Sequence, residues 1–304
     1  MGDTNDMEAT QRVIALGFFD GVHSGHGALL RRAGEEAARR GCIPAAVTFD
    51  HHPKDLIPGA KRVPLINTPE DRAWLMRRFF SIEDVIVLPF DEKMRTMHWQ
   101  DFVTDILVEK YGAVHLVAGH DFHFGKGGEG NPQRLREICA RLGLGCDIIE
   151  KVELDGITVS STYIRTLLES GEMTQAVRFL GHPYVISGQV VPGKQLGRTI
   201  GIPTANLVIP EGLITPAFGV YASKVWVGEN EYLAVTNVGV RPTVEDSNRV
   251  TVEPWILDFS GDLYGTTIRV ECFKRLRGEK KFPDLDAMRA AILEDAKQTR
   301  KLLG

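Results

Sequence analysis

The sequence predicts two domains: an α/β domain with a parallel sheet, then a small antiparallel β-domain ending in a helix. Three observations carry this. The chain has 304 residues, more than one core usually fills. Up to the "RFLGHP" segment, apolar runs alternate with amphipathic segments. From residue 184 the runs become short and alternating, with turn residues between them. The boundary is expected at 183/184, giving domains 1–183 and 184–304.

In the first domain, Arg12–Phe19 reads as a buried strand. Gly25–Arg40 carries Leu29, Leu30, Ala33 and Ala37 on one helical face. Ile43–Phe49 is the next strand. Thr68-Pro69-Glu70-Asp71 opens a helix with a capping residue and a proline at the first helical position. "DVIVLPF", "VHLVAG" and "CDIIEKV" are further strands, with helices near 98–111 and 132–143 between them. In the second domain the strands are "YVISGQVV", "GVYASKVWVG", "YLAVTNVGV", "RVTVEPWILDF" and "TIRVECFKRL", and Asp284–Leu303 is a closing amphipathic helix.

Composition excludes several classes. Hydrophobic content of 43% and charged content of 25% are ordinary for a globular protein. A net charge of −4 gives no polyelectrolyte signature, so nucleic acid is not expected as a partner. No apolar run has the length of a membrane span, and the polar start is not a signal peptide. Cys42, Cys139, Cys146 and Cys272 lie far apart and read as thiols of a reducing compartment, the cytoplasm.

Ligands of parallel sheets sit at the carboxyl ends of the strands. Here those ends read "FDGVHSGH", "FDHHP" and "GHDFHFGKGGEG". His23 and His26 admit three readings: core histidines, metal ligands with a third partner among His51, His52, His120 and His123, or phosphate contacts. The third needs a glycine between them and a helix N-terminus behind, where free N–H groups and the dipole favour anions. A second clamp is offered by Val159–Arg165, "VSSTYIR", with three hydroxyls and an arginine at a helix start; its alternative is a solvated N-cap. Together H-x-G-H and S-S-T-x-I-R resemble the two phosphate-binding signatures of the nucleotidyltransferase superfamily, which cleaves ATP between the α and β phosphates. Gly125–Gly130 matches G-x-G-x-x-G, but five residues separate it from the strand and Asn131-Pro132 opens the helix after it. That placement argues for a flexible ligand loop and against a dinucleotide fingerprint.

In the second domain, Gly193–Asn206 is glycine-rich with basic residues interleaved: either a turn-rich connection or a phosphate flap containing Gly193, Lys194, Gly197 and Arg198, with Thr204 and Asn206 as oxygen ligands of a magnesium–nucleotide. The strand "RVTVEPWILDF" puts Glu253 on one face with Thr251, Trp255, Leu257 and Phe259. A glutamate there either faces solvent at a strand end or serves as a general base. Pro254 favours an edge or bulge position.

These motifs, with "GRTIGIPTANL", "GVYA", "NVGVRPT", "VEPWILDFSGDLYG" and "RLRGEKKF", follow one another in the order of a known family. The chain resembles the bifunctional bacterial riboflavin kinase/FMN adenylyltransferase from Ile14 to about Leu303. The resemblance implies a Rossmann-like nucleotidyltransferase domain and a small riboflavin-kinase-type β-barrel with a terminal helix. It implies two reactions, both with magnesium. One converts riboflavin and ATP to FMN and ADP; the other converts FMN and ATP to FAD and pyrophosphate. His23, His26 and Arg165 are then catalytic for adenylyl transfer. Gly17, Phe18, Asp20, Gly21, Ser160, Ser161 and Thr162 bind its nucleotide, and Asp121, Phe122 and Phe124 its flavin side. Glu253 is the kinase base, Thr204 and Asn206 hold the metal, Pro203 and Tyr264 join the flap in binding nucleotide, and Arg241 contacts flavin. The sequence departs from the family pattern at Gly27, His51 and Trp255. Two other readings are a kinase with a weakened or redirected transferase, and a non-catalytic flavin-binding regulator.

Overall fold

The computed structural model describes residues 10–56, 59, 62–193, 197, 200–241 and 249–304. Lys194 and Arg198 of the expected flap lie outside the described residues, as does the side chain of Arg241. The chain forms two compact units: residues up to 63 with 72–160, and residues 64–71 with 161–304.

The first unit is built on β1 (Arg12–Leu16), β2 (Ile43–Phe49), β3 (Asp84–Leu88), β4 (Ala113–Gly119) and β5 (Gly145–Ile149). They form one parallel sheet in the order β3-β2-β1-β4-β5. Near-continuous apolar strands such as Val13–Leu16 are what two helical layers demand, and these four residues are at most 1% exposed. The helices are α1 (Ser24–Arg40), α2 (Pro69–Phe80, of which residues 69–71 are counted with the second unit), α3 (Glu92–Thr96), α4 (Trp99–Asp101, continued by the π-helix Phe102–Lys110) and α5 (Pro132–Leu142). The strand order reverses between β1 and β4, so the loops after these two strands flank the switch point where such sheets bind ligands.

The expected strands are present; β1, β3 and β5 end earlier than expected, β2 matches, and β4 starts one residue earlier. β1 stops at Leu16 instead of Phe19, because Phe19 takes a left-handed φ of 56°. β5 stops at Ile149, and a small hairpin of β6 (Glu153–Leu154) and β7 (Ile157–Thr158) follows. Asn131 caps α5 through the Arg134 N–H, with Pro132 inside the first turn, as expected. The Gly125–Gly130 loop was expected to be flexible. It is closed by paired bonds between Phe124 and Gly130 and tied by the Lys126 N–H to the Met97 carbonyl.

The second unit contains α6 (Ser161–Ser170), α7 (Met173–Leu180), β8 (Tyr184–Gln189), β9 (Leu207–Val208), β10 (Gly219–Val227), β11 (Asn230–Arg241), β12 (Arg249–Ile256), β13 (Thr267–Arg277) and α8 (Leu285–Leu303). The strands are antiparallel in the order β8-β13-β10-β11-β12-β9. The two ends of this sheet approach each other. Gly188 of β8 faces Leu207 and Val208 of β9, and the Val191 N–H bonds the Asn206 carbonyl at 2.9 Å. The sheet is a nearly closed barrel, as the alternating pattern implied. α8 packs on it through Ala296 against Val220, Val235 and Leu257. β9 pairs with Thr251 and Val252, and just before it the Ala205 N–H bonds the Pro254 carbonyl at 3.0 Å, so Pro254 lies beyond the short ladder but is not at an open edge. β12 ends at Ile256, and Asp258 turns left-handed at φ 57°.

Residues 64–71 belong to this unit through specific bonds. Leu65 exchanges backbone bonds with Gly212 and Ile214, Asn67 donates to the Val185 carbonyl, and buried Asp71 accepts from the Ser187 hydroxyl at 2.7 Å.

Away from the switch point, His115 of β4 donates from Nε2 to Asp147 Oδ2 at 3.0 Å, and Arg32 donates to the same carboxylate oxygen at 2.7 Å. Gly145 is the register neighbour of His115, and a methyl group there would fall 2.0 Å from His115 Nδ1. Gly145→Ala should therefore lower stability by about 1–3 kcal/mol through overpacking. An unchanged urea midpoint would show that the His115 ring moves aside freely.

Candidate active sites

The β1–α1 turn is compressed and strained. Phe19 has φ 56°, Gly21 φ 82° and Val22 φ 43°, and both Phe19 and Val22 are fully buried. A β-branched residue in this region is an outlier, and such strain concentrates at ligand sites. The Val22 N–H closes the turn onto the Phe19 carbonyl at 3.0 Å.

His23 is the N-cap of α1. Its Nδ1 accepts from the His26 N–H at 3.2 Å, so the neutral ring carries its proton on Nε2 as a donor. The two imidazoles stack with centroids 3.5 Å apart at 11°, and Phe19 meets His26 edge-on at 5.2 Å. The glycine of H-x-G-H has a local reason. A methyl group on Gly25 would fall 3.1 Å from the His23 ring, which lies over the helix start. Burial, then electrostatic interaction with His23 and with the Arg72 guanidinium, holds the His26 imidazole well below its usual range. Its Nδ1 is buried with no hydrogen-bond partner among the described residues. A neutral imidazole pair at a helix N-terminus presents directional N–H donors to an anion.

Asp20 is buried beside this turn. Phe18 meets His52 edge-on at 4.9 Å, while His51 is exposed and pairs with Asp50 at 3.0 Å. Among the described residues, no group of three or more His, Cys, Asp or Glu side chains could hold a metal ion. At the departure Gly27, the space beside Cα is filled by the Phe80 ring, 2.6 Å from where a methyl carbon would stand. Across the switch point, Asp121 is exposed and Phe122 half-buried. Phe124 belongs to the core, stacked on Phe122 and tilted against Phe102. Phe124 thus backs the β4 loop and does not open onto it.

Ser160 ends the first unit, while Ser161, Thr162 and Arg165 lie on α6 of the second. Thr162 is exposed, and Arg165 donates from Nε to the Pro64 carbonyl at 2.7 Å.

The barrel carries two adjoining cavities. One, of about 300 Å³, is lined by Gly197, Thr204, Asn237, Glu253, Trp255 and Arg277 among others. The second, of about 200 Å³, is lined by Pro203, Thr204, Phe259, Asp262 and Tyr264 among others. Thr204 borders both. Glu253 is half-buried, opposite Asn237 in the β11–β12 register, and its Oε1 accepts from the Thr251 hydroxyl at 3.3 Å. Asn206 is 7% exposed, and its Oδ1 is buried without a partner among the described residues. An orphaned amide oxygen two residues along the chain from Thr204 suits a hard cation such as magnesium, which takes oxygen ligands. Gly193 makes room for Asn206, whose Nδ2 would be 2.4 Å from an added methyl, and Gly197 for the Ile202 carbonyl at 2.1 Å. Tyr264 is exposed, with its N–H on Asp262 Oδ1.

Sequence reasoning missed two features. Arg277 grips Asp295 of α8 through bonds of 2.8–3.2 Å in the wall of the larger cavity; an acid within the apolar stripe of α8 was the available signal. Arg72 is fully buried next to the histidine turn; a basic residue in the first turn of a helix was the signal there.

Comparison with known proteins follows the same division. Residues 5–163 match the FAD synthetase family model, and residues 180–303 match the riboflavin kinase model. A bifunctional riboflavin kinase/FMN adenylyltransferase of Pseudomonas fluorescens is 35% identical over 95% of this chain and 92% of its own length. That of Escherichia coli K12 is 34% identical over 96% and 93%. A solved structure from Streptococcus pneumoniae, titled a macrolide-efflux protein, is 30% identical, with a TM-score of 0.80 over 97% of this chain and 96% of that one. With both models matched in tandem and relatives alike over nearly their full lengths, the chain belongs to the family of bifunctional riboflavin kinases/FMN adenylyltransferases.

Proposed function

We propose that the two sites divide the synthesis of flavin cofactors between them, with the functional boundary near 183/184. The β1–α1 turn serves the transfer of AMP from ATP to FMN, giving FAD and pyrophosphate. The barrel serves the phosphorylation of riboflavin by ATP, giving FMN and ADP. The observation that carries the reading is the border position of Thr204 between two cavities, one containing Glu253 and the other the "DLYG" loop.

In the kinase, riboflavin enters the larger cavity and ATP the smaller, so the γ-phosphate meets the ribityl 5′-hydroxyl beside Thr204. Glu253 accepts the hydroxyl proton as the oxygen attacks phosphorus, and ADP leaves. Thr204 and Asn206 hold the magnesium ion that accompanies ATP; when bound, it neutralises phosphate charge. Gly193, Gly197 and Pro203 border the phosphates, and Tyr264 borders the nucleotide.

In the transferase, an FMN phosphate oxygen attacks the α-phosphorus and pyrophosphate leaves. His23 donates from Nε2 to the phosphate oxygens, and neutral His26 beside it adds a second N–H. These donors are placed before the charge develops, so little reorganisation is needed in the transition state. Gly17, Phe18, Asp20 and Gly21 shape the nucleotide side, while Asp121 and Phe122, backed by Phe124, shape the flavin side. Ser160, Ser161, Thr162 and Arg165 receive the outgoing pyrophosphate. The working compartment is the cytoplasm; no helix among the described residues is long and apolar enough to cross a membrane.

Two variants separate the activities. Glu253→Gln should lower FMN formation from riboflavin about 10²–10⁴-fold while supplied FMN still becomes FAD. Retained riboflavin phosphorylation in a chromatographic flavin assay would refute the base assignment. His26→Ala should lower FAD formation about 10²–10³-fold and spare FMN formation. If both products fell together, the division of labour would be wrong.

A further inference from the structure

Among the described residues, Arg72 heads the large side chains that are fully shut off from solvent. It sits in the first turn of α2, where the helix dipole disfavours a cation. Its bonds explain the placement. Nη1 donates to the Phe18 carbonyl at 2.5 Å and to Thr48 Oγ1 at 2.7 Å, and Nη2 donates to the Phe49 carbonyl at 2.7 Å. The Thr48 hydroxyl adds its own bond to the Phe18 carbonyl at 2.8 Å. The guanidinium carbon lies 4.5 Å from the centroid of the Phe18 ring. One planar fork therefore ties the outgoing ends of β1 and β2 together, directly before left-handed Phe19.

We propose that Arg72 is a positioning residue for adenylyl transfer: it locks the Phe18 carbonyl, and with it the strained turn presenting His23 and His26, and places a buried positive charge behind the polyphosphate site. The inference rests on the transferase reading of that turn. Besides burial, the groups that act electrostatically on His26 are His23, the N-cap of its own helix, and the Arg72 guanidinium from α2. Taking away the Arg72 charge raises the proton affinity of His26. The acid limb of the pH–rate profile then moves to higher pH.

The test uses the full chain, with FMN, ATP and magnesium for FAD formation, and riboflavin phosphorylation on the same preparation as the control of folding. Arg72→Gln should lose about 10²-fold in kcat for FAD, the effect of a misplaced catalytic group, with its acid limb shifted upward. Arg72→Lys keeps the charge and loses the fork, so its rate falls while the limb stays in place. Thr48→Val removes one bond to the Phe18 carbonyl and should cost roughly three- to tenfold. Unchanged rate and profile in Arg72→Gln would overturn the inference alone. Equal loss of both activities in Arg72→Gln and Arg72→Lys would overturn it by marking a fold defect. If Arg72→Gln does not fold, undiminished FAD formation by Thr48→Val overturns it. No FAD from the unmodified protein would instead refute the transferase reading itself.

Discussion

The chain must pass from the end of β1 to the start of α1 within Gly17–His23, and much of the first unit is arranged around that constraint. Left-handed backbone at non-glycine residues costs on the order of 1–3 kcal/mol each, and the turn contains two such residues. Their side chains are completely buried, which offsets the strain with apolar contact. The Phe18 carbonyl, which would otherwise be left in a tight bend, accepts from both Thr48 and Arg72. With the turn held, His23 falls at the N-cap, its ring folds back over Gly25, and His26 stacks beneath it. The stacked histidine pair is a product of backbone geometry as much as of side-chain identity.

The two sites solve the same problem with different materials. The first uses strand ends and a helix terminus; the second uses the closing seam of a barrel. Around that seam Gly193 and Gly197 are required by close approach to Asn206 and Ile202, not by unusual dihedral angles. The Asn206 amide oxygen is buried there. Glu253 gains a hydroxyl neighbour from Thr251 because the pleat puts alternate residues on one face.

Period and turn chemistry made most of the architecture legible. The parallel sheet, the helix stripe of α1, the proline-opened α2 and the alternating barrel strands all follow from local pattern. Strand ends were misjudged where a residue without glycine's freedom turns left-handed, as at Phe19 and Asp258, since nothing in their type announces it. The histidine motif was visible, but the reason for its glycine was not: Gly25 accommodates the His23 ring. Arg72 and Asp295 stayed hidden because charged residues on helices ordinarily read as solvated. Only the folded chain shows that one is sealed behind a turn and the other fixed to Arg277 in a cavity wall.

The second unit is not a continuous piece of chain. Residues 64–71 are made well before the strands they bond: Leu65 awaits Gly212 and Ile214, Asn67 awaits Val185, and Asp71 awaits Ser187. A cut at 183/184 would leave the β-domain fragment without a bridging partner for Leu213 and without the carboxylate that receives the Ser187 hydroxyl. On the ribosome, this unit cannot complete its bonding in order of synthesis. Its earliest segment is held in reserve while more than a hundred residues are added. Gene fusion or fission in such a chain therefore carries a topological toll that a linear domain diagram conceals.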